Sequence, residues 1–199
     1  MAHKRKYELK ARAEAQEETR RRITEATVGL HIEVGPAQTT ISEIAKRAGV
    51  QRLTVYNNFP DEASLLGACS AHFLEQHPPP DPGSWQRIRD PARRARAALA
   101  ALYGYYRETE SMTGNVMRDA KVMPALASIV ERGWGPFLSG LRDELASVWE
   151  RGGPPNPRLR AALGVALRFE TWQALARDEG MTDADAAELA VAMARGARR

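Results

Sequence analysis

Residues 40–59 read Thr40-Ile41-Ser42-Glu43-Ile44-Ala45-Lys46-Arg47-Ala48-Gly49-Val50-Gln51-Arg52-Leu53-Thr54-Val55-Tyr56-Asn57-Asn58-Phe59. Thr40 and Glu43 have the spacing of a capping box, which starts a short helix by pairing two otherwise orphaned backbone donors. Ile41, Ile44, Ala45 and Ala48 fall on one face of that helix. Ala45 is small where a second helix must cross closely. Gly49 follows at the turn, where a left-handed backbone is strain-free only for glycine. Val50 and Val55 then plug the angle from the second helix. A capped short helix, a glycine turn and a second helix with an apolar inner face are the steric signature of a helix-turn-helix.

The outward face of the second helix is polar. Gln51, Arg52, Thr54, Tyr56, Asn57 and Asn58 are the side chains that such a helix brings to the major groove of a duplex. Gln and Asn match adenine, and Arg matches guanine, while Thr and Tyr hydroxyls suit phosphate oxygens. Thr40 can present its hydroxyl and a helix N-terminus to a phosphate, and Lys46 adds a cation beside it. Leu53 is the apolar exception, suited to a thymine methyl or to packing on the first helix.

Working outward, the charge follows this motif. Residues 1–60 hold 11 Lys/Arg against 7 Asp/Glu, and residues 61–199 hold 18 of each, so the whole formal excess of +4 sits in the first third. A basic end on a neutral body fits a polyanionic partner. The arm His3-Lys4-Arg5-Lys6 and the cluster Arg20-Arg21-Arg22 offer further phosphate contacts, an extended arm by entering the minor groove. Interleaved Glu14, Glu17, Glu18 and Glu25 compete for the arginines through pairs along one helix. The N-terminus leads into charged residues with no apolar segment after it, unlike a secretory signal, and no apolar run is long enough to span a membrane. A single Cys69 forms no internal disulfide and fits a reducing cytoplasm.

Helical periodicity punctuated by Gly and Pro recurs along the chain, and strand alternation does not. Helices are predicted at about 10–33, 41–48, 52–59, 62–76, 92–108, 113–121, 124–151, 158–178 and 183–197, the last with Thr182 and Asp185 at capping-box spacing. The expected fold is all-α: an N-terminal three-helix helix-turn-helix domain and a C-terminal helical bundle, about nine helices in all. The domains are set at 1–61, with an arm over 1–9, and 62–199.

Ile44-Ala45-Lys46-Arg47-Ala48-Gly49-Val50, Thr54-Val55-Tyr56-Asn57-Asn58-Phe59-Pro60-Asp61 and Leu65-Leu66 together resemble the DNA-binding domain of the TetR family of bacterial transcriptional regulators. In that resemblance the phosphate-contacting Tyr falls on Tyr56, and the Phe that closes the recognition helix falls on Phe59. Two positions depart from the family pattern. Glu62 stands where a Lys is frequent, and Asn58 stands where a His frequently precedes the Phe. The resemblance implies that the chain from about residue 85 binds a small ligand and dimerises, and that the whole is a repressor released from a palindromic operator by that ligand.

The residues themselves bear on that second half in two ways. Trp85, Tyr106, Met117, Met123, Trp134, Phe137, Phe169 and Trp172 can line a pocket for an apolar or amphipathic molecule, with tyrosine hydroxyls and Arg118 as polar handles; they can equally form an ordinary core. Ala161, Ala162, Gly164, Val165 and Ala166, with Ala186, Ala187, Ala190, Val191 and Ala194, make two small-residue helices suited to a four-helix interface in a homodimer. Nothing points to catalysis. There are four histidines, and Cys69 and His72 on one helix face have no third ligand or orienting group. No cofactor or metal is expected. The alternative to a DNA reader is a helical adaptor that binds only proteins.

Overall fold

The computed structural model describes residues 2–197, with side chains from residue 10 onward. Ten α-helices make up the described chain, and no strand occurs among the described residues: α1 (Ala2–Glu33), α2 (Ile41–Ala48), α3 (Arg52–Asn58), α4 (Glu62–Gln76), α5 (Pro91–Glu108), α6 (Glu110–Asp119), α7 (Pro124–Glu150), α8 (Pro157–Ala166), α9 (Phe169–Gln173) and α10 (Asp183–Gly196). The first helix starts well before the predicted residue 10, so the backbone of the expected extended arm continues α1. The side chains of His3, Lys4, Arg5 and Lys6 lie outside the described residues.

The chain divides into two compact units. One holds residues 1–77 and 115–129, the other 78–114 and 130–199. By this division α4 clusters with the helix-turn-helix, whereas the predicted boundary fell before it.

In the first unit α1 packs on α2 and α4, and α2 on α3. Ile23, Val28, Ile44, Val55, Phe59 and Leu66 form its core. Cys69 is buried there beside the Thr24 carbonyl, and burial pushes its thiol up to about 12, so it is an inert thiol. The turn after α1 is held from the far end of α6. Asn115 donates to the carbonyls of His31 and Ile32, and Arg118 to that of Val34. The Asp119 carboxylate accepts from the Ala37 N–H at 2.9 Å. Gly35 has φ +96°, and any Cβ placed on it would collide with the Arg118 guanidinium, so the tie requires glycine.

In the second unit α10 packs on α5 and α8, and α9 on α5. This revises the expected use of the small residues. Ala186, Ala187, Ala190, Val191 and Ala194 are all buried against their own unit. The large apolar side chains that α8 and α10 leave exposed are Val165, one of the expected set, and Leu189 and Met193, which are not.

The predicted single helix over 158–178 is also divided. Arg168 takes an extended conformation (φ −75°, ψ 146°), α9 restarts behind it, and Ala174–Asp178 widens into a π-helical turn. No Gly or Pro marks that break. The carbonyls it frees are met from α5, where the Tyr103 hydroxyl donates to Ala166 at 2.8 Å and the Tyr106 hydroxyl to Leu167 at 2.7 Å.

Candidate nucleic-acid interface

Each local feature of the helix-turn-helix takes the expected form. The Thr40 hydroxyl accepts from the Glu43 N–H at 3.2 Å, and the Glu43 carboxylate accepts from the Thr40 N–H at 3.0 Å. Gly49 closes α2 with φ 67° and ψ 37°, its N–H returning to Ala45 and Lys46. Ala45 and Val55 are buried at the crossing.

The outward face of α3 carries Gln51, Arg52, Leu53, Tyr56 and Asn57, all exposed, with Thr54 half-buried. Leu53 is 66% exposed, so of its two predicted uses the outward one fits and packing on α2 does not. Thr40 and Lys46 are exposed as well. Asn58 departs from the prediction. Its amide turns back along the helix and donates to the Thr54 carbonyl at 2.8 Å, leaving the residue half-buried and its amide oxygen without a partner. The Asx side chain at a helix end has bonded the backbone instead of facing outward.

The arginine cluster also has internal work. Arg20 donates to the Asn58 carbonyl at the end of α3 and stacks its guanidinium 4.1 Å from the centre of the Phe59 ring. Arg22 donates to the Ala48 carbonyl at the end of α2. Arg21 pairs with Glu18 and Glu25 along α1, and Arg47 grips Glu33 through both carboxylate oxygens. Cations at the last carbonyls of two short helices complement their dipoles and fix their ends. Two residues expected to touch phosphate, Arg20 and Arg22, are therefore struts behind the reading surface, and Arg21 is held by glutamates of its own helix.

Beneath that surface lies His31, 5% exposed. Burial pulls its imidazole down to about 4, against the nearby Asp119 carboxylate, which favours the charged form. Burial alone would push the Asp119 carboxyl up, but Arg118, the Ala37 N–H and His31 outweigh it and hold it below its usual range. The histidine is neutral when folded and titrates near 6.5 when unfolded. Between those values the unfolded chain binds the extra proton, so stability is complete above about pH 6.5 and is lost as pH falls toward 4. From pH 7 to pH 5 the loss is about 2 kcal/mol. Urea melts at the two pH values check this, and His31→Gln should flatten the difference.

The residues assigned to ligand binding separate. Tyr106, Trp134, Phe137, Phe169 and Trp172 meet in one ring cluster in the second unit. Tyr106 stands edge-on to Phe169 at 5.4 Å and lies 6.4 Å from Trp134, which stacks on Tyr105 and Phe137. Trp134 and Phe137 are half-buried, while Tyr106 and Trp172 are fully buried. The hydroxyls of Tyr103 and Tyr106, expected as handles for a ligand, are spent on the carbonyls after α8. Burial raises both phenols above their usual range, and Tyr105 to about 12. Trp85 is fully buried and joins none of these rings, and its indole N–H has no acceptor. Met117, Met123 and Arg118 belong to the first unit, whereas the ring cluster belongs to the second.

Residues 23–69 match the family model of bacterial regulatory proteins of the tetR family. Over that stretch, which holds the helix-turn-helix, the chain is similar to the TetR family. Over 85 residues the chain is 39% identical to the HTH-type transcriptional regulator SrpR of Pseudomonas putida, an alignment spanning 40% of this chain and 39% of that relative's own length. The TetR fold extends further than that sequence match. A TetR family transcription regulator from Marinobacter aquaeolei VT8 is 22% identical with a TM-score of 0.58, covering 93% of this chain and 97% of its own. RolR, solved in complex with resorcinol, is 25% identical with a TM-score of 0.52, covering 94% of each chain. Among the described residues no helix is long and apolar enough to cross a membrane, and no group of histidine, cysteine or carboxylate side chains is arranged to hold a metal ion.

Proposed function

We propose that the chain is a transcriptional regulator that reads a palindromic DNA operator as a homodimer, represses from it, and is released by a small apolar or amphipathic ligand. The observation that carries this reading is the exposed set Gln51, Arg52, Tyr56 and Asn57 on a helix whose inner face and C-terminal end are both fixed. A helix positioned in this way can hold base-reading side chains in register with a groove. Tyr56, Thr40 and Lys46 supply phosphate contacts, and Gln51, Arg52, Thr54 and Asn57 read base edges, with Leu53 available to a thymine methyl. Asn58 contributes by holding the helix end.

Two copies are needed because one such helix reads only a few base pairs, and a two-fold pair reads half-sites about one helical turn apart. Val165, Leu189 and Met193 support the pairing as large apolar side chains left exposed on α8 and α10. The ring cluster with half-buried Trp134 and Phe137 supports an aromatic or similarly apolar effector, in keeping with the resorcinol that RolR binds. Release then follows from differential affinity. A ligand favouring the arrangement that fits the operator poorly shifts the population away from DNA by the same coupling energy.

Selection of bound duplexes from a random pool tests this reading. A palindrome should be enriched. Tyr56→Phe should weaken all duplexes alike, whereas Arg52→Ala or Asn57→Ala should relax preference at one base position, by about 1–3 kcal/mol each. A pool that shows no enrichment, or three variants that bind as the parent does, overturns it and leaves an adaptor that binds proteins.

A further inference from the structure

The first unit holds a partly open pocket of about 340 Å³ whose apolar wall includes Ile41, Ile44, Leu65 and Met123. That volume lies within the range of small-molecule sites, which begins at about 300 Å³. Two further features of the lining point to an occupant. His31 forms part of the wall and is nineteen-twentieths buried. A neutral imidazole in the wall offers one donor and one acceptor to an occupant. The same lining holds Asp61 and Glu62, both exposed and both acidic, directly after the reading helix. Asp61 caps α4 by accepting from the Ser64 N–H at 2.7 Å. Glu62 follows as the first residue of that helix, at the foot of a surface whose other charges suit a polyanion. Two carboxylates there repel a duplex and attract a cation.

We infer that this cavity binds a small arylalkyl amine, with its ring against Ile41, Ile44, Leu65 and Met123, a ring donor on His31, and its ammonium at the Asp61–Glu62 rim. The sign of the rim selects an amine over an acid of the same shape, because like charge at the mouth disfavours the anion. Tyr56 is also part of the lining. An occupant therefore bears on a side chain that the DNA reading needs free, and in that consequence alone the inference rests on the DNA-binding reading.

The test is a titration of the full-length ¹⁵N-labelled protein with tyramine, followed by amide shifts, beside 3-(4-hydroxyphenyl)propanoate, which has the same ring and the opposite charge. Saturable shifts at His31, Ile41, Tyr56 and Met123 are expected with tyramine, and binding of the acid at least about tenfold weaker. Glu62→Gln, on the exposed rim, should weaken tyramine about fivefold. Met123→Trp, which fills the cavity, should abolish the shifts; its folding is checked by melting, and the rim variant decides the matter if the filled one fails to fold. Equal binding of amine and acid, an absence of saturable shifts at millimolar tyramine, or shifts confined to Trp134, Phe169 and Trp172 overturns the proposal. No DNA enters this titration, so a failed site and a failed DNA reading are told apart.

Discussion

Trp172→Ala is expected to lower the thermal midpoint by more than about 10 °C. The indole is fully buried, 5.3 Å from Phe169 and 6.1 Å from Tyr106, and its N–H donates to Asp183 at 2.9 Å. Arg107 and Arg177 lie 5.8 and 5.4 Å from its ring centre. Removing a buried tryptophan costs about 3–5 kcal/mol, and in a unit of this size each kcal/mol moves the midpoint by about 4–8 °C. Asp183 is affected too. Burial pushes its carboxyl up, but hydrogen bonds from Arg107 and Trp172 outweigh that and hold it below its usual range. Trp172→Phe keeps most of the apolar area and loses the N–H, so it should cost about 1 kcal/mol, the usual worth of one hydrogen bond. Calorimetry on both variants separates the contributions. A drop under about 3 °C for the alanine variant would show that the ring cluster is not what holds the second unit together.

The second large effect belongs to the surface of α10. Leu189 and Met193 sit one turn apart and are 39% and 53% exposed, with Val165 at 46% on the neighbouring α8. Replacing both α10 residues with glutamate places like charges at the centre of the proposed two-fold contact. The variant should sediment as a monomer with unchanged helicity, because both side chains lie on the exposed face of α10. Operator affinity should fall about a hundredfold, since two linked reading heads gain their avidity from the linkage. A double variant that still sediments as a dimer places the interface elsewhere.

What could be read in the sequence is what is encoded locally. The capping box at Thr40, the left-handed Gly49 and the buried Ala45 and Val55 all depend on residues a few positions apart, and the turn formed as its spacing required. The roles of Arg20 and Arg22 are not legible in the sequence, because their partners, the carbonyls of Asn58 and Ala48, lie 38 and 26 residues away. A run of three arginines looks the same whether it meets phosphate or its own protein. The alanines of α10 were misassigned for a related reason: small residues at spacings of three and four signal close approach, and they do not say whether the approaching helix is α5 of the same chain or a helix of another. The break at Arg168 carries no Gly or Pro and is stabilised from α5 by two tyrosine hydroxyls, so no local signal announced it. Met117 and Met123 resemble the aromatics in composition, and it is the fold that puts them in the first unit.

The struts behind α3 have a consequence for changing what the protein recognises. Arg20 and Arg22 anchor the two helices of the motif through main-chain carbonyls, and the side chains they hold in place are not the ones that face outward. Carbonyl acceptors persist whatever residue is written at a position, so the mounting is indifferent to the letters mounted on it. Gln51, Arg52, Leu53 and Asn57 can accordingly be exchanged as a block, as type is exchanged in a fixed frame, and a library randomised at those four positions should yield new sequence preferences without loss of folding yield.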